Sequence, residues 1–297
     1  MQNDPVKKIY DTLDAERLEE VIVFTKPPQH FRASEAGECG RRIWYRLSAY
    51  RPMPDKAFSK LLSMGGNYDH DITRQLLKHS DAGIDGLVFL ADGGIEEPQI
   101  VKSFEVDGQK FDIVARADGY ILLDAEVIGN SREPILALLE IKSVDGWTYK
   151  YMNDAFVTGG TEGALKYIAN VRQKYIKQCT VTAKLHSKDW IYLLIRDRSM
   201  CQIGLYNAET GARSGGAIWQ VDEEEWQRIL NKFARISEAL KEGKPPRAEY
   251  VDGSKECNYC PFYYACHAAK KRKERGIIPD VQYPILGIGG DNGEACA

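Results

Sequence analysis

Two stretches of this chain place charge where a folding chain resists it. Ile135-Leu136-Ala137-Leu138-Leu139 is an unbroken apolar run, and Glu140-Ile141-Lys142 follows directly. Such a run reads as a strand covered on both faces. Side chains two apart on a strand share a face, so Glu140 and Lys142 point the same way. Upstream, Arg116-Ala117-Asp118-Gly119-Tyr120-Ile121-Leu122-Leu123 sets Asp118 at the start of another apolar strand. Ionised groups at the ends of buried strands need partners or a task. One reading is a plain structural ion pair. The other is phosphodiester hydrolysis. Asp118, Glu140 and the backbone carbonyl of Ile141 offer the oxygen ligands that Mg²⁺ or Mn²⁺ prefers. Lys142 would orient water or stabilise the developing charge.

A second chemical signal lies near the end of the chain, where Cys257, Cys260 and Cys266 are spaced C-x2-C-x5-C. In a reducing compartment, clustered cysteines among a total of seven point to metal ligation rather than to disulfides. Three thiols leave a fourth ligand to be found. Zinc with four cysteines and an iron–sulfur centre both remain open at this point. Cys179 and Cys201 sit in apolar patterns and read as small core residues, while Cys296 stands next to the last residue.

Candidate phosphate contacts are Arg41 and Arg42, and Lys270, Lys271 and Arg272 beyond the cysteines. These cations suit either a solvated helix face or a nucleic-acid backbone. Just past the charged strand, Trp147, Tyr149 and Lys150 interleave aromatics with a cation. That pattern suits base stacking as well as core packing.

These residues must be held by a chain of 297 residues, long enough to bury a sizeable core. The composition, 43% hydrophobic and 28% charged, is that of a globular protein, and the net charge of -3 requires any nucleic acid to meet a local basic face. No apolar run approaches the roughly 20 residues of a membrane span. The charged N-terminus has no signal-peptide core, so a cytoplasmic location is expected.

Spacing predicts a helix capped by Ser34 and running to about residue 50, and another over about 55–79. Short strands should follow within 86–128, with Asp107-Gly108 as a hairpin turn. The expected order continues with a strand over 135–144, a helix over 161–185, strands over 190–196 and 202–206, and a helix over 223–241. The pattern implies an α/β fold, with helices flanking one central mixed β-sheet.

Asp118 followed by Glu140-x-Lys142 at the end of an apolar strand resembles the PD-(D/E)xK nuclease superfamily, and more narrowly its RecB-like branch. The resemblance implies a restriction-endonuclease-like core. It also implies that His70, in the Gly66-to-His70 G-x-x-x-H spacing, is a further metal ligand. Gln178 corresponds to a catalytic glutamine on the helix after the Glu-x-Lys strand, although Thr182 stands where relatives carry a tyrosine. Cys39, with Arg41 and Tyr45, matches the C-x-R…Y pattern of cluster-bearing relatives such as the AddB nuclease domain and the CRISPR-associated RecB-type exonucleases. In those relatives the distal cysteine joins the C-x2-C-x5-C set to bind a 4Fe–4S cluster, which here implies Cys39, Cys257, Cys260 and Cys266.

The implied division is a helical extension at 1–33, a helical segment at 34–80, a nuclease core at 81–243, a cysteine segment at 244–276 and a tail at 277–297. The implied function is a metal-dependent DNA nuclease, using Mg²⁺ or Mn²⁺ and acting as an exonuclease on single-stranded ends. Protein partners in recombination, repair, replication or spacer-acquisition complexes go with the resemblance. The rival reading is a non-catalytic, cluster-stabilised DNA-binding or adaptor subunit.

Overall fold

The computed structural model describes residues 28–48, 72–73, 88–90, 99–123, 133–200, 202–250, 254–258, 260–263 and 266. A short strand, β1 (His30–Arg32), runs parallel to β4 (Gln109–Arg116), which pairs antiparallel with β3 (Gln99–Val106). The expected turn joins β3 to β4. Asp107 and Gly108 both have positive φ, 50° and 73°, which matches the twist of the flanking strands. Alternate residues of β4, Phe111, Ile113 and Ala115, are buried, so this sheet has one dry face. The amphipathic helix α4 (Glu223–Lys241) packs against it through Trp226, Leu230 and Phe233. The helix begins where Asp222 accepts a hydrogen bond from the Glu224 amide, with three glutamates in its first turn facing the positive end of the dipole.

A second sheet has the order β8 (Gly216–Gln220), β7 (Trp190–Asp197), β6 (Ile135–Val144), β5 (Gly119–Leu123), β2 (Val88–Leu90). The apolar-then-charged strand is therefore central, antiparallel to β5 and parallel to β7. A parallel neighbour requires a long crossover, supplied by α2 (Gly146–Val171) and α3 (Gln173–Leu185). A straight helix of 26 residues would extend about 39 Å. Yet Arg172 donates a hydrogen bond to Thr148, so α2 doubles back, and the reversal is at Gly160 with φ 62° and ψ -155°. α3 contributes to two cores. Val181 and Leu185 join the core under α4, while Cys179 and Ala183 join the core on the second sheet.

The fold class is α/β, with mixed sheets flanked by helices, consistent with a restriction-endonuclease-like core. The strands over 135–144 and 190–197 and the helix over 223–241 lie where spacing put them. Other expectations need correction. The single central sheet is divided in two, because the chain passes from β4 to β5 through a corner at Ala117-Asp118. Ser34 caps no long helix. A 3₁₀ turn (Ala33–Glu35) precedes α1 (Gly40–Leu47), and Cys39 holds the N-cap position. Gly37, between the turn and α1, packs so closely on Lys174 that a Cβ there would lie 2.5 Å from Lys174 Cβ. The crossover helix starts at residue 146, not 161, and breaks at Arg172. Of the helix expected over 55–79, only residues 72–73 are described, and they are helical.

Candidate active site

Asp118 stands in the corner between the sheets, just before β5. The antiparallel register pairs Gly119 with Leu139, and its continuation sets Asp118 opposite Glu140. Opposed residues of an antiparallel pair project from one face, and Lys142, two residues on, shares it. Both carboxylates are buried, Asp118 to 8% exposure and Glu140 to 2%. Asp118 Oδ2 accepts a hydrogen bond from the Ile141 amide at 2.6 Å, which ties the corner to the central strand.

α3 closes the same face. Gln178 Nε2 donates to Glu140 Oε1 at 2.7 Å, and Lys142 Nζ donates to the same oxygen at 2.5 Å and to Gln178 Oε1 at 3.2 Å. One turn earlier on α3, the Tyr175 ring centroid lies 5.5 Å from Lys142 Nζ, within cation–π range. Burial by itself would lower the lysine's pKa. The charges of Glu140 and Asp118 outweigh it and hold the pKa above the ordinary lysine value. Lys142 is therefore a fixed ammonium, suited to stabilising negative charge and unsuited to taking a proton.

Sequence reasoning found four members of this constellation and missed Tyr175. Tyr175 and Gln178 are three apart on α3 and share a face, but spacing alone does not bring that face to Lys142. Thr182, at the position where relatives carry tyrosine, spends its hydroxyl on the Gln178 carbonyl at 3.0 Å. Cys179 is fully buried beside these groups. Burial pushes its thiol pKa well up, so it packs as a neutral residue, as expected. His70 lies outside the described residues. Thr73, three positions later, accepts a hydrogen bond from Arg196 Nη1 at 2.6 Å, and Arg196 is paired with Ser143 at the end of β6.

Cys39, Cys257, Cys260 and Cys266 line a single cavity of about 670 Å³. Cys39 is brought there by α1, whose first amide, that of Gly40, donates to Glu249 Oε1 at 2.8 Å. Lys232 of α4 donates to the carbonyl oxygens of Glu38 and, at 3.4 Å, of Ala36. Arg41 donates through Nε to the Pro246 carbonyl at 2.8 Å and through Nη1 to Cys266 Sγ at 3.5 Å. Arg42, Arg172 and Lys174 also line the cavity. The five described cysteines form no disulfide. Among the described residues no three His, Cys, Asp or Glu side chains stand together at metal-binding spacing. Cys201, Cys296, Lys270, Lys271 and Arg272 lie outside the described residues.

Of the expected stacking residues, Trp147 is 71% exposed and Lys150 is exposed, but Tyr149 is buried. The Tyr149 hydroxyl donates to the Gly204 carbonyl at 2.9 Å, because the first turns of α2 turn that position toward the sheet. Tyr151, four residues after Trp147, takes the exposed position instead.

A comparison with protein-family models finds no match, and one with curated proteins finds none. Among solved structures, the crystal structure of SSO0001 is similar at 17% identity, covering 87% of this chain and 96% of that one, with a TM-score of 0.42. An alkaline exonuclease from Laribacter hongkongensis, LHK-Exo, is similar at 14% identity, with 88% and 99% coverage and a TM-score of 0.40. LHK-Exo in complex with dAMP gives 14% identity, 82% and 95% coverage and a TM-score of 0.38. Likenesses this distant carry no argument, and the functional reading rests on this chain's own residues. Among the described residues, no helix is long and apolar enough to cross a membrane.

Proposed function

We propose that this chain is a metal-dependent deoxyribonuclease of the PD-(D/E)xK type, an exonuclease on single-stranded ends, whose four cysteines hold a 4Fe–4S cluster. The observation that carries this reading is the opposition of Asp118 and Glu140 across two paired strands, with Lys142 on the same face. A structural ion pair needs one carboxylate. Two nearly dry carboxylates carry one negative charge more than Lys142 offsets, which a divalent cation would neutralise. The donor set is oxygen-rich, as Mg²⁺ and Mn²⁺ require.

Asp118, Glu140, the Ile141 carbonyl and His70 would hold the ion, which when bound neutralises the scissile phosphate and acidifies water. Lys142, kept charged and anchored by Glu140 and Gln178, stabilises the negative charge that develops on the phosphate as water attacks. Tyr175 flanks the ammonium and limits where it can point. Among the described residues of the site no side chain is poised as a covalent nucleophile, so water is the attacking group, and 5′-phosphate and 3′-hydroxyl ends are what the resemblance to PD-(D/E)xK nucleases implies.

Four thiols lining one cavity suit a 4Fe–4S cluster, which takes four thiolates and leaves no open position. Arg41 and Arg42, at the same cavity, offset the charge of such a centre. Its contribution would be to join α1 to the C-terminal segment.

End-labelled single- and double-stranded DNA, incubated with Mg²⁺ or Mn²⁺ and anaerobically purified protein, tests the reading. Wild type should shorten the single strand from its end, and Lys142→Ala should be slower by about 10²–10³-fold. A wild-type protein that binds DNA without cutting it would favour an adaptor role. Equal activity in Lys142→Ala would move the chemistry elsewhere.

A further inference from the structure

The first turns of α2 carry a surface that the reaction does not use. Trp147 is 71% exposed and Tyr151 53%, and residues four apart lie one above the other on a helix. Met200, 79% exposed, adds to the same region. Its turn packs on the start of α2, since a Cβ on Gly146 would lie 2.6 Å from Ser199 Oγ. The Arg198 amide bonds to the Val144 carbonyl at the end of β6. The patch thus sits at the end of the strand that carries Glu140 and Lys142.

Large aromatics held in water without cover are uncommon, and of the other tryptophans Trp44, Trp219 and Trp226 are buried and Trp190 is half-buried. Charge at the rings is mixed. Lys150 is exposed between Trp147 and Tyr151, whereas half-buried Arg172 reaches Thr148 Oγ1 at 2.7 Å and is balanced by the charge of Asp145. Asp154, one turn past Tyr151, ends the favourable stretch. An apolar protein partner would not require the exposed Lys150 between the rings. A strand of unpaired nucleotides does, because its bases stack while its phosphates seek positive charge.

We infer that Trp147 and Tyr151 form a base-stacking platform that feeds an unpaired strand to the Asp118–Glu140 site, with exposed Lys150 on its phosphates. The inference rests on the nuclease reading and names how that site would choose unpaired substrate. Duplex DNA keeps its bases stacked inside and cannot use the rings, so the platform favours single strands without reading sequence.

The test is binding by the full-length, cluster-loaded protein in EDTA, where hydrolysis is absent. The probes are a fluorescent oligothymidylate and a hairpin duplex of equal length. Trp147→Ala and Tyr151→Ala should each weaken oligothymidylate binding by about tenfold to a hundredfold and leave the duplex unchanged. Trp147→Phe should recover most of the loss, and the salt dependence should keep its slope. Lys150→Ala should instead lower that slope by about 0.7. Val157→Ala, on the same helix beyond Asp154, should behave as wild type. Unchanged binding in Trp147→Ala, or equal losses on both probes, overturns the platform while leaving the nuclease reading standing. A wild type that binds neither probe overturns both. A shift in oligomeric state on Trp147→Ala, seen by light scattering, would show the rings to be a protein contact and overturn the inference.

Discussion

Lys142 answers to three neighbours at once: the Glu140 carboxylate, the Gln178 amide oxygen and the face of Tyr175. Each restricts it differently. The carboxylate keeps it charged, the amide fixes its reach, and the ring blocks a swing toward the start of α3. Tyr175→Phe keeps the ring face and should retain activity within about threefold, since the cation–π attraction needs no hydroxyl. Tyr175→Ala removes the wall and should cost about tenfold in kcat with little change in KM, the mark of loosened geometry rather than lost binding. Steady-state kinetics on a labelled single strand check this. Equal loss in both variants would assign the effect to the hydroxyl instead. Asp118→Asn and Lys142→Ala act on one transition state, so the double variant should be little slower than either single one. His70 is tested by the metal. If it binds the ion, His70→Ala shifts the Mn²⁺ activation curve to higher concentration. Coincident curves would remove it from the site.

At the scale of elements, α2 decides whether the platform and the crossover are in place, and its start depends on Asp145. That side chain accepts from the Thr148 amide and from the Thr148 hydroxyl, both at 2.9 Å. The amide bond above all, helped by the hydroxyl bond and Arg172, holds the Asp145 pKa below its ordinary value against the opposing effect of burial. A depressed carboxylate pKa adds stability above the unfolded value, near 3.9, and loses it as pH falls through the folded one. Asp145→Ala should therefore cost about 1 kcal/mol at neutral pH. The gap to wild type should close as the pH falls below about 4, as measured by denaturant unfolding. Little of this helix was legible in the sequence. Trp147-Thr148-Tyr149-Lys150-Tyr151 has few strong helix formers, and Gly159-Gly160 reads as a loop. The structure uses Gly160 as a left-handed reversal inside a helical element, and local spacing does not distinguish that from a helix start. By contrast β6 was legible to the residue, because a two-sided core demands an unbroken apolar run. The carboxylate pair followed from it. Its partner Tyr175 did not, since only the packing of α3 on the sheet brings the ring to Lys142.

The whole molecule is knitted by α3, which faces the strand of Glu140 and Lys142 with Gln178 and the cysteine cavity with Lys174 and Lys177. Its first turn lies so close to Gly37 that no side chain fits between them, and two residues on from Gly37 stands Cys39. The Cys39 loop is held from a second side by Lys232 of α4, and Glu249 caps the helix that follows. Whatever joins Cys39 to Cys257, Cys260 and Cys266 therefore also presses the loop on the helix that carries Gln178. Removing one thiol should be felt at the carboxylates without touching them. Cys257→Ala, prepared without oxygen, should lose the visible absorbance, iron and acid-labile sulfide, and unfold at lower denaturant, because ligand binding to the native state alone is folding energy. Its nuclease activity should fall even at temperatures where circular dichroism shows it folded, since Gln178 then sits on a helix with a looser start. Gly37→Ala separates the two effects. It keeps all four thiols, so iron should remain, while the clash with Lys174 should cost about 1–3 kcal/mol and lower activity in the same way. Iron analysis, unfolding curves and nuclease rates on the three proteins decide the matter. Stoichiometric zinc in place of iron would replace the cluster by a four-cysteine zinc site. Full activity in a folded, iron-free Cys257→Ala would show that α3 does not carry the influence of one site to the other.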